Sequence, residues 1–180
     1  MINSFGIGYH QYADDTQLYT AVSDTPGSIE NLSACADAVA GWHIRKKILL
    51  NATKTEALVT GTRQQVAKCD QSSGITISNT TVQYSSKIRV LGVIIDSELS
   101  FDGHVTSVVR ACNYYIRSLR HIRHLLNKDA SNMIARFIAL SRLDYCNAVL
   151  YGVSDHNISR LQRVQNNLAR VVCTAHTGPL

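Results

Sequence analysis

Asp14 and Asp15 stand side by side between two runs rich in β-formers, Tyr9 to Tyr12 before them and Gln17 to Val22 after. A tight hairpin built from these runs puts both carboxylates at its tip. Neighbouring carboxylates repel each other, and a hard divalent cation that takes their oxygens relieves the repulsion. Mg²⁺, or Mn²⁺ in its place, does this while keeping coordination positions for phosphate oxygens. Two such ions about 3.5–4 Å apart clamp the attacking and leaving oxygens of a phosphoryl transfer. The Asp-Asp pair alone is better accounted for as a polar β-turn, because Asp is common in turns.

The residues around the pair change that balance. The run Tyr9-His10-Gln11-Tyr12-Ala13-Asp14-Asp15-Thr16-Gln17-Leu18-Tyr19 closely resembles the catalytic hairpin of reverse transcriptases from non-LTR (LINE-type) retrotransposons. Further segments resemble that family in the family's own order. Leu50-Asn51-Ala52-Thr53-Lys54-Thr55-Glu56 is similar to its lysine motif, with Ala52-Thr53 where Pro-Asp or Ala-Asp is frequent. Val90-Leu91-Gly92-Val93-Ile94-Ile95-Asp96 is similar to its primer-grip strand. Arg142-Leu143-Asp144-Tyr145-Cys146-Asn147 and Leu161-Gln162-Arg163-Val164-Gln165-Asn166 are similar to its thumb region. The ordered set is far more specific than any one motif.

The resemblance implies roles for particular residues. Asp14 and Asp15 are candidate metal ligands, Asp14 the more direct. Tyr12 lines the floor near the primer end, and Ala13 is small enough for close approach of the primer backbone. Lys54 stands near the outgoing pyrophosphate as charge stabiliser or proton donor, although its spacing alone reads as an exposed lysine at a strand start. Gly92 allows close approach of nucleic acid, whereas Leu91 and Val93 read as a buried apolar strand. Arg110, Arg117 and Arg120 are candidate phosphate contacts on one helical stripe, and Arg123, Arg136, Arg160, Arg163 and Arg170 join them as weaker ones. A solvated surface role is as good a reading for each single arginine. The implied partners are an RNA template, a DNA primer and, in the parent enzyme, deoxynucleoside triphosphates.

The bulk numbers bound these readings. A chain of 180 residues is one large domain or two small ones. With 45% hydrophobic and 17% charged residues its composition is ordinary for a globular protein. No run of roughly 18 apolar residues predicts a membrane span. No secretory leader is visible at Met1 to Gly6, so the expected compartment is cytoplasmic or nuclear. Five scattered cysteines and no C-x-x-C pair read as free thiols, and the seven histidines show no zinc spacing. The net charge of +5 is uneven. Residues 1–100 hold 8 basic and 9 acidic side chains, and residues 101–180 hold 10 and 4. Such a basic half suits a polyanion partner.

The elements that must position these residues follow from periodicity. Residues 5–22 form a hairpin with Ala13 to Asp15 near its turn. A helix over Ile29 to Lys47 follows, with Thr25 or Ser28 as N-cap, Pro26 in the first turn, and Trp42 in the core. Glu56 to Thr60 reads as a strand and residues 63–73 as a loop. Ile75 to Ile77, Val82 to Tyr84 and Ile88 to Ile95 read as short strands. Asp102 or Ser100 caps a helix reaching about Leu126. Further helices span about Ala130 to Ser141 and Ile158 to Cys173. The pattern predicts an α+β fold. Under the resemblance, residues 1–100 become a partial polymerase palm and residues 101–180 a small thumb-like helical bundle.

The family's metal site takes a further carboxylate from an upstream strand, and eleven residues precede Tyr12 here. The expectation is therefore a carboxyl-terminal palm and thumb, inactive alone, without the fingers or the endonuclease. Its grip on Mg²⁺ would be weak. Two other readings stand beside it: a non-catalytic nucleic-acid-binding remnant, and a degenerate open reading frame without selected function. An unrelated phosphotransferase domain with Asp-Asp on a hairpin is a remoter alternative.

Overall fold

The computed structural model describes residues 1–22, 27–48, 54–69 and 74–173. These residues fall into two compact units, Met1–Ile88 and Arg89–Leu180.

The first unit opens with a 3₁₀ turn, Ile2–Phe5, and the hairpin of β1 (Gly8–Tyr12) and β2 (Asp15–Tyr19). Helix α1 (Ser28–Arg45) follows. It buries Cys35, Val39 and Ala40, spaced i, i+4, i+5, as one inward stripe. The Asn31 amide on this helix donates to the Phe5 carbonyl at 2.7 Å and ties down the opening turn. The β3 (Ile75–Ile77) and β4 (Thr80–Val82) hairpin also packs on α1. Its two-residue turn is left-handed at both positions, with φ of 48° at Ser78 and 64° at Asn79. That is the pattern of a type I′ turn. Asp37 on α1 accepts the Ser78 N–H at 2.6 Å, which fixes this strained turn against the helix.

Several expectations for this unit are corrected. Gly27 is the N-cap of α1 and no side chain caps it; Thr25 and Pro26 lie outside the described residues. Trp42 is not a core residue: it is 41% exposed and packs edge-on against His43. The segment Glu56 to Thr60 forms no strand, only an isolated parallel bridge between Ala57 and Tyr84. The stretch read as loop contains helix α2 (Arg63–Lys68). Thr62 and Gln65 close a reciprocal capping box there, which satisfies the first backbone N–H groups of a short polar helix.

The second unit begins with the hairpin of β5 (Lys87–Val90) and β6 (Val93–Asp96), so the division falls inside β5. The continuous strand expected from Ile88 to Ile95 is broken at Leu91 and Gly92, whose φ values of 46° and 85° make another left-handed pair. The Tyr145 hydroxyl donates to the Leu91 carbonyl at 2.6 Å and stabilises the turn. Helix α3 (Asp102–Ile122) runs into a 3₁₀ turn, Arg123–Leu125. Helix α4 (Lys128–Ala135), capped by the Asn127 side chain, continues through a π-helical turn, Arg136–Leu140, into α5 (Ser141–Asp144). Helix α6 (Asp155–Cys173) completes the bundle.

The core of this unit joins Cys112, Ile116 and Leu119 of α3 to Ala135, Ala139 and Leu143, and to Val164, Leu168, Val171 and Val172 of α6. The buried positions Ser131, Ala135, Ala139 and Leu143 recur every four residues. In a regular α-helix such a row drifts by roughly 40° per step. The wider π turn between Ala135 and Ala139 offsets part of that drift and keeps the row facing inward.

A polar hub sets where α3 begins. Phe101 is the N-cap residue with φ 58°, and no side chain caps in the usual way. The Asp96 carboxylate at the end of β6 accepts the Ser100 N–H at 2.9 Å, the Phe101 N–H at 2.7 Å, the Ser100 hydroxyl at 3.2 Å and the Glu98 N–H at 3.2 Å. Partial burial alone would raise the Asp96 pKa, but these four donors outweigh it and hold it below the ordinary value. Nearby, the fully buried Asn157 amide donates to the Asp102 carboxylate and the Ser100 carbonyl, joining the starts of α6 and α3. Asp102 thus anchors α6 where the sequence suggested a cap.

Because the lowered carboxyl of Asp96 is charged in the fold, its contribution is complete above about pH 4 and fades as pH falls through the lowered value. Asp96→Ala should cost the second unit about 1–3 kcal/mol at neutral pH. Urea denaturation at pH 7 and pH 3 checks this: the gap between wild type and variant should narrow at the lower pH.

Candidate metal hairpin and basic helix face

The β1–β2 hairpin pairs Gly8 with Tyr19, His10 with Gln17 and Tyr12 with Asp15. Tyr12 and Asp15 close the ladder, so Ala13 and Asp14 form a two-residue turn. Ala13 has φ 53°, whereas Asp14 is not left-handed. Positive φ at the first central residue alone is the pattern of a type II′ turn, where glycine is usual. Ala13 holds that conformation with a Cβ that disfavours it. The Gln11 amide donates to the Ala13 carbonyl at 3.3 Å across the tip. Further down, the Tyr19 ring stacks on His10 with centroids 5.9 Å apart and lies where a side chain at residue 8 would project. Gly8 makes room for that ring.

The turn decides what the carboxylates can do. Asp14 and Asp15 are both exposed, one in the turn and one on the first residue of β2. Tyr12 is 68% exposed beside them. Among the described residues no group of three His, Cys, Asp or Glu is gathered to hold a metal ion. Two exposed carboxylates with no third such ligand beside them among the described residues would give a hard divalent cation at most a weak hold. Lys54 and Glu56 are exposed, and Leu50 to Thr53 of the same motif lie outside the described residues.

Tyr12, Ala13, Asp14, Asp15 and Lys54 belong to the first unit, and Gly92 and the arginines of α3 to the second. The positive φ of Gly92 is required by its turn, which is a sufficient local reason for glycine. Arg110, Arg117 and Arg120 are exposed and fall within about 80° of one another around α3. Arg117 returns Nε to the Asn113 carbonyl of its own helix at 3.3 Å. Arg136, Arg163 and Arg170 are also exposed.

Two arginines among the weaker phosphate candidates are structural. Arg123 directs Nε and Nη2 to the Val171 and Val172 carbonyls at 3.1 and 3.0 Å, and Nη1 to Leu126 at 2.8 Å. Its cation thus sits on orphan carbonyls at the C-terminal end of α6. Arg160 bonds Asn157 at 3.1 Å and the Thr106 hydroxyl at 2.7 Å, as part of the polar hub. The signal for Arg123 was in the sequence: it continues the inward row Cys112, Ile116 and Leu119 by one more turn.

Relief of the left-handed alanine gives one expected outcome. Ala13→Gly should stabilise the first unit by roughly 0.5–1 kcal/mol despite the greater freedom of glycine in the unfolded chain, measurable as a raised urea midpoint. Removal of the helix clamp gives another. Arg123→Ala should destabilise the second unit by about 1–3 kcal/mol, read as a lowered thermal midpoint.

The chain is similar to a curated protein described as an RNA-directed DNA polymerase from the mobile element jockey of Drosophila funebris, with 26% identity over 168 residues. The match covers 91% of this chain and 18% of that protein, so the chain spans about a fifth of its relative's length. No family model matches, and no solved structure matches. The resemblance carried by the ordered motifs and the similarity along nearly the whole chain agree: the chain is related to the reverse transcriptases of non-LTR, LINE-type mobile elements.

Proposed function

We propose that this chain is a segment of an RNA-directed DNA polymerase of a non-LTR retrotransposon, comprising part of the palm and a thumb-like bundle, with β1–β2 as its metal-binding hairpin. The observation that carries the reading is the Tyr12–Asp15 closure, which leaves Asp14 and Asp15 exposed together at a two-residue turn. The similarity to the jockey polymerase over 91% of the chain supports it.

In this reading each residue has a definite task. Asp14 and Asp15 supply hard oxygen donors, and the exposed Tyr12 forms the floor on which a primer end rests. Asp14 and Asp15 would hold Mg²⁺ or Mn²⁺, which would supply charge to lower the pKa of a primer hydroxyl and to neutralise a triphosphate. Lys54, an exposed cation, meets the charge that develops on the pyrophosphate. Gly92 keeps the β5–β6 turn free of a side chain where the primer backbone passes. Arg110, Arg117 and Arg120 bind template–primer phosphates without regard to sequence. Partners of the parent enzyme are the RNA template, the DNA primer and deoxynucleoside triphosphates.

The 180 residues taken alone bring two adjacent carboxylates to the hairpin, too few fixed ligands for Mg²⁺ to be held through a catalytic cycle. They act as a nucleic-acid-binding unit, with the basic excess of residues 101–180 and the exposed arginine stripe of α3 favouring that role.

Mn²⁺ titration followed by NMR tests the hairpin. Paramagnetic broadening should centre on Ala13 to Thr16 and vanish in Asp14→Asn/Asp15→Asn, while primer extension by the same 180-residue chain yields no templated product. Uniform broadening that ignores the double substitution would remove the metal reading; templated incorporation would remove the claim of inactivity.

A further inference from the structure

The second unit contains a half-open cleft of about 320 Å³ with two arginines on its wall, Arg89 of β5 and Arg142 of α5. The Ser107 and Ser141 hydroxyls and the His104 imidazole share that wall, and no carboxylate lines it. A concave site with two positive charges and no negative one concentrates anions. Its guanidinium groups and the Ser107 hydroxyl are donors suited to phosphate oxygens, whereas the Ser141 hydroxyl donates to the Phe137 carbonyl, and the cleft volume exceeds what one phosphate needs.

Parts of the wall are held in place before any ligand arrives. The Arg142 guanidinium lies over the Tyr115 ring, 4.9 Å from its centroid, and gives one N–H to the Tyr115 hydroxyl at 3.2 Å. Stacking fixes the plane of the fork, and its other N–H groups remain available to a planar pair of oxygens. His104 is 5% exposed, and its Nδ1 accepts the Ile94 N–H at 3.4 Å. In the neutral ring that leaves the proton on Nε2. Burial, and then the Arg89 charge, hold the His104 pKa below its ordinary value. The Tyr145 hydroxyl, bonded to Leu91, fixes the rim beside Gly92.

We propose that this cleft is a phosphate-group site, with Arg142 as the oriented fork, Arg89 as the second cation and Ser107 as a hydroxyl donor. The ligand class is a phosphoryl oxyanion, either free or within a nucleic-acid backbone. Nothing in this site depends on the Asp14–Asp15 hairpin, so it stands or falls apart from the polymerase reading.

The test is an NMR titration of the full 180-residue chain with inorganic phosphate, and separately with a single-stranded tetranucleotide that has only internal phosphodiesters. Saturable shifts should gather on Arg89, Ser107, Ser141 and Arg142. The His104 imidazole should titrate at higher pH when the anion is bound, an effect that needs no variant. Arg142→Lys, which keeps the charge and loses the fork, and Arg89→Gln should each weaken binding about tenfold. Both side chains are exposed, so both variants should keep the native spectrum. Lys128→Gln, at the exposed start of α4 and away from the cleft wall, should leave the affinity unchanged. Saturation by inorganic phosphate assigns the site to free anions; saturation by the tetranucleotide alone assigns it to backbone phosphodiesters. Shifts spread over all exposed arginines, or affinity unaffected by Arg142→Lys and Arg89→Gln with His104 unmoved, would overturn the proposal.

Discussion

Left-handed backbone at two-residue turns is the constraint on which the hairpins of this chain depend. Strands twist right-handedly, and a two-residue connection matches that twist only when central residues take positive φ. The chain meets the demand three times and mostly without glycine: at Ala13, at Ser78–Asn79 and at Leu91–Gly92. Each non-glycine residue there is strained, and two of the three turns are held by a side chain from outside the hairpin. Asp37 takes the Ser78 N–H, and Tyr145 gives its hydroxyl to the Leu91 carbonyl. Among the described residues, Ala13 receives a bond only from Gln11 of the same hairpin, through the Ala13 carbonyl. That is also the turn that exposes two carboxylates together. Strain without an external clamp, next to residues that bear charge, is where functional geometry concentrates.

The helices were the readable part of the sequence. α1, α3 and α6 each repeat an apolar stripe over many turns, and a signal summed over about 20 residues tolerates local exceptions. The hairpin tip was readable for a different reason, since β-formers on both sides leave little freedom in where the chain reverses. Short elements were less legible. Four of the six residues of α2 are polar, and only the Thr62–Gln65 cap marks the helix, a signal carried by two side chains. Glu56 to Thr60 has strand-like composition but finds a single bridging residue, because pairing depends on a partner that composition does not specify. Trp42 falls within about 20° of Cys35 around α1, so both its position and its hydrophobicity overstated its burial.

Charge in the second unit divides by function. Arg123 and Arg160 are spent on helix ends and the polar hub, and neither has much fork left for a ligand. Arg110, Arg117 and Arg120 face outward on α3. Net charge alone could not make this division; the position of each arginine relative to the apolar stripe largely does. Arg89 and Arg142 escaped notice because they come from elements far apart in sequence, and only the fold brings them to one cleft.

The π turn at Arg136–Leu140 bears on how this chain can change in length. It accommodates one residue more than an α-turn would, so the segments on either side are out of α-helical phase. Deleting a single residue inside it would let the helix close up regularly. Everything downstream would then stay nearly in place, because Leu143 would stand eleven regular steps from Ser131, within about 20° of three whole turns. Leu143 would keep its place in the core, and Tyr145 its hold on the β5–β6 turn. A one-residue deletion that would be a rotation in a regular helix is thus absorbed here, and the widened turn is the splice that keeps the first half of the helix in step with the second.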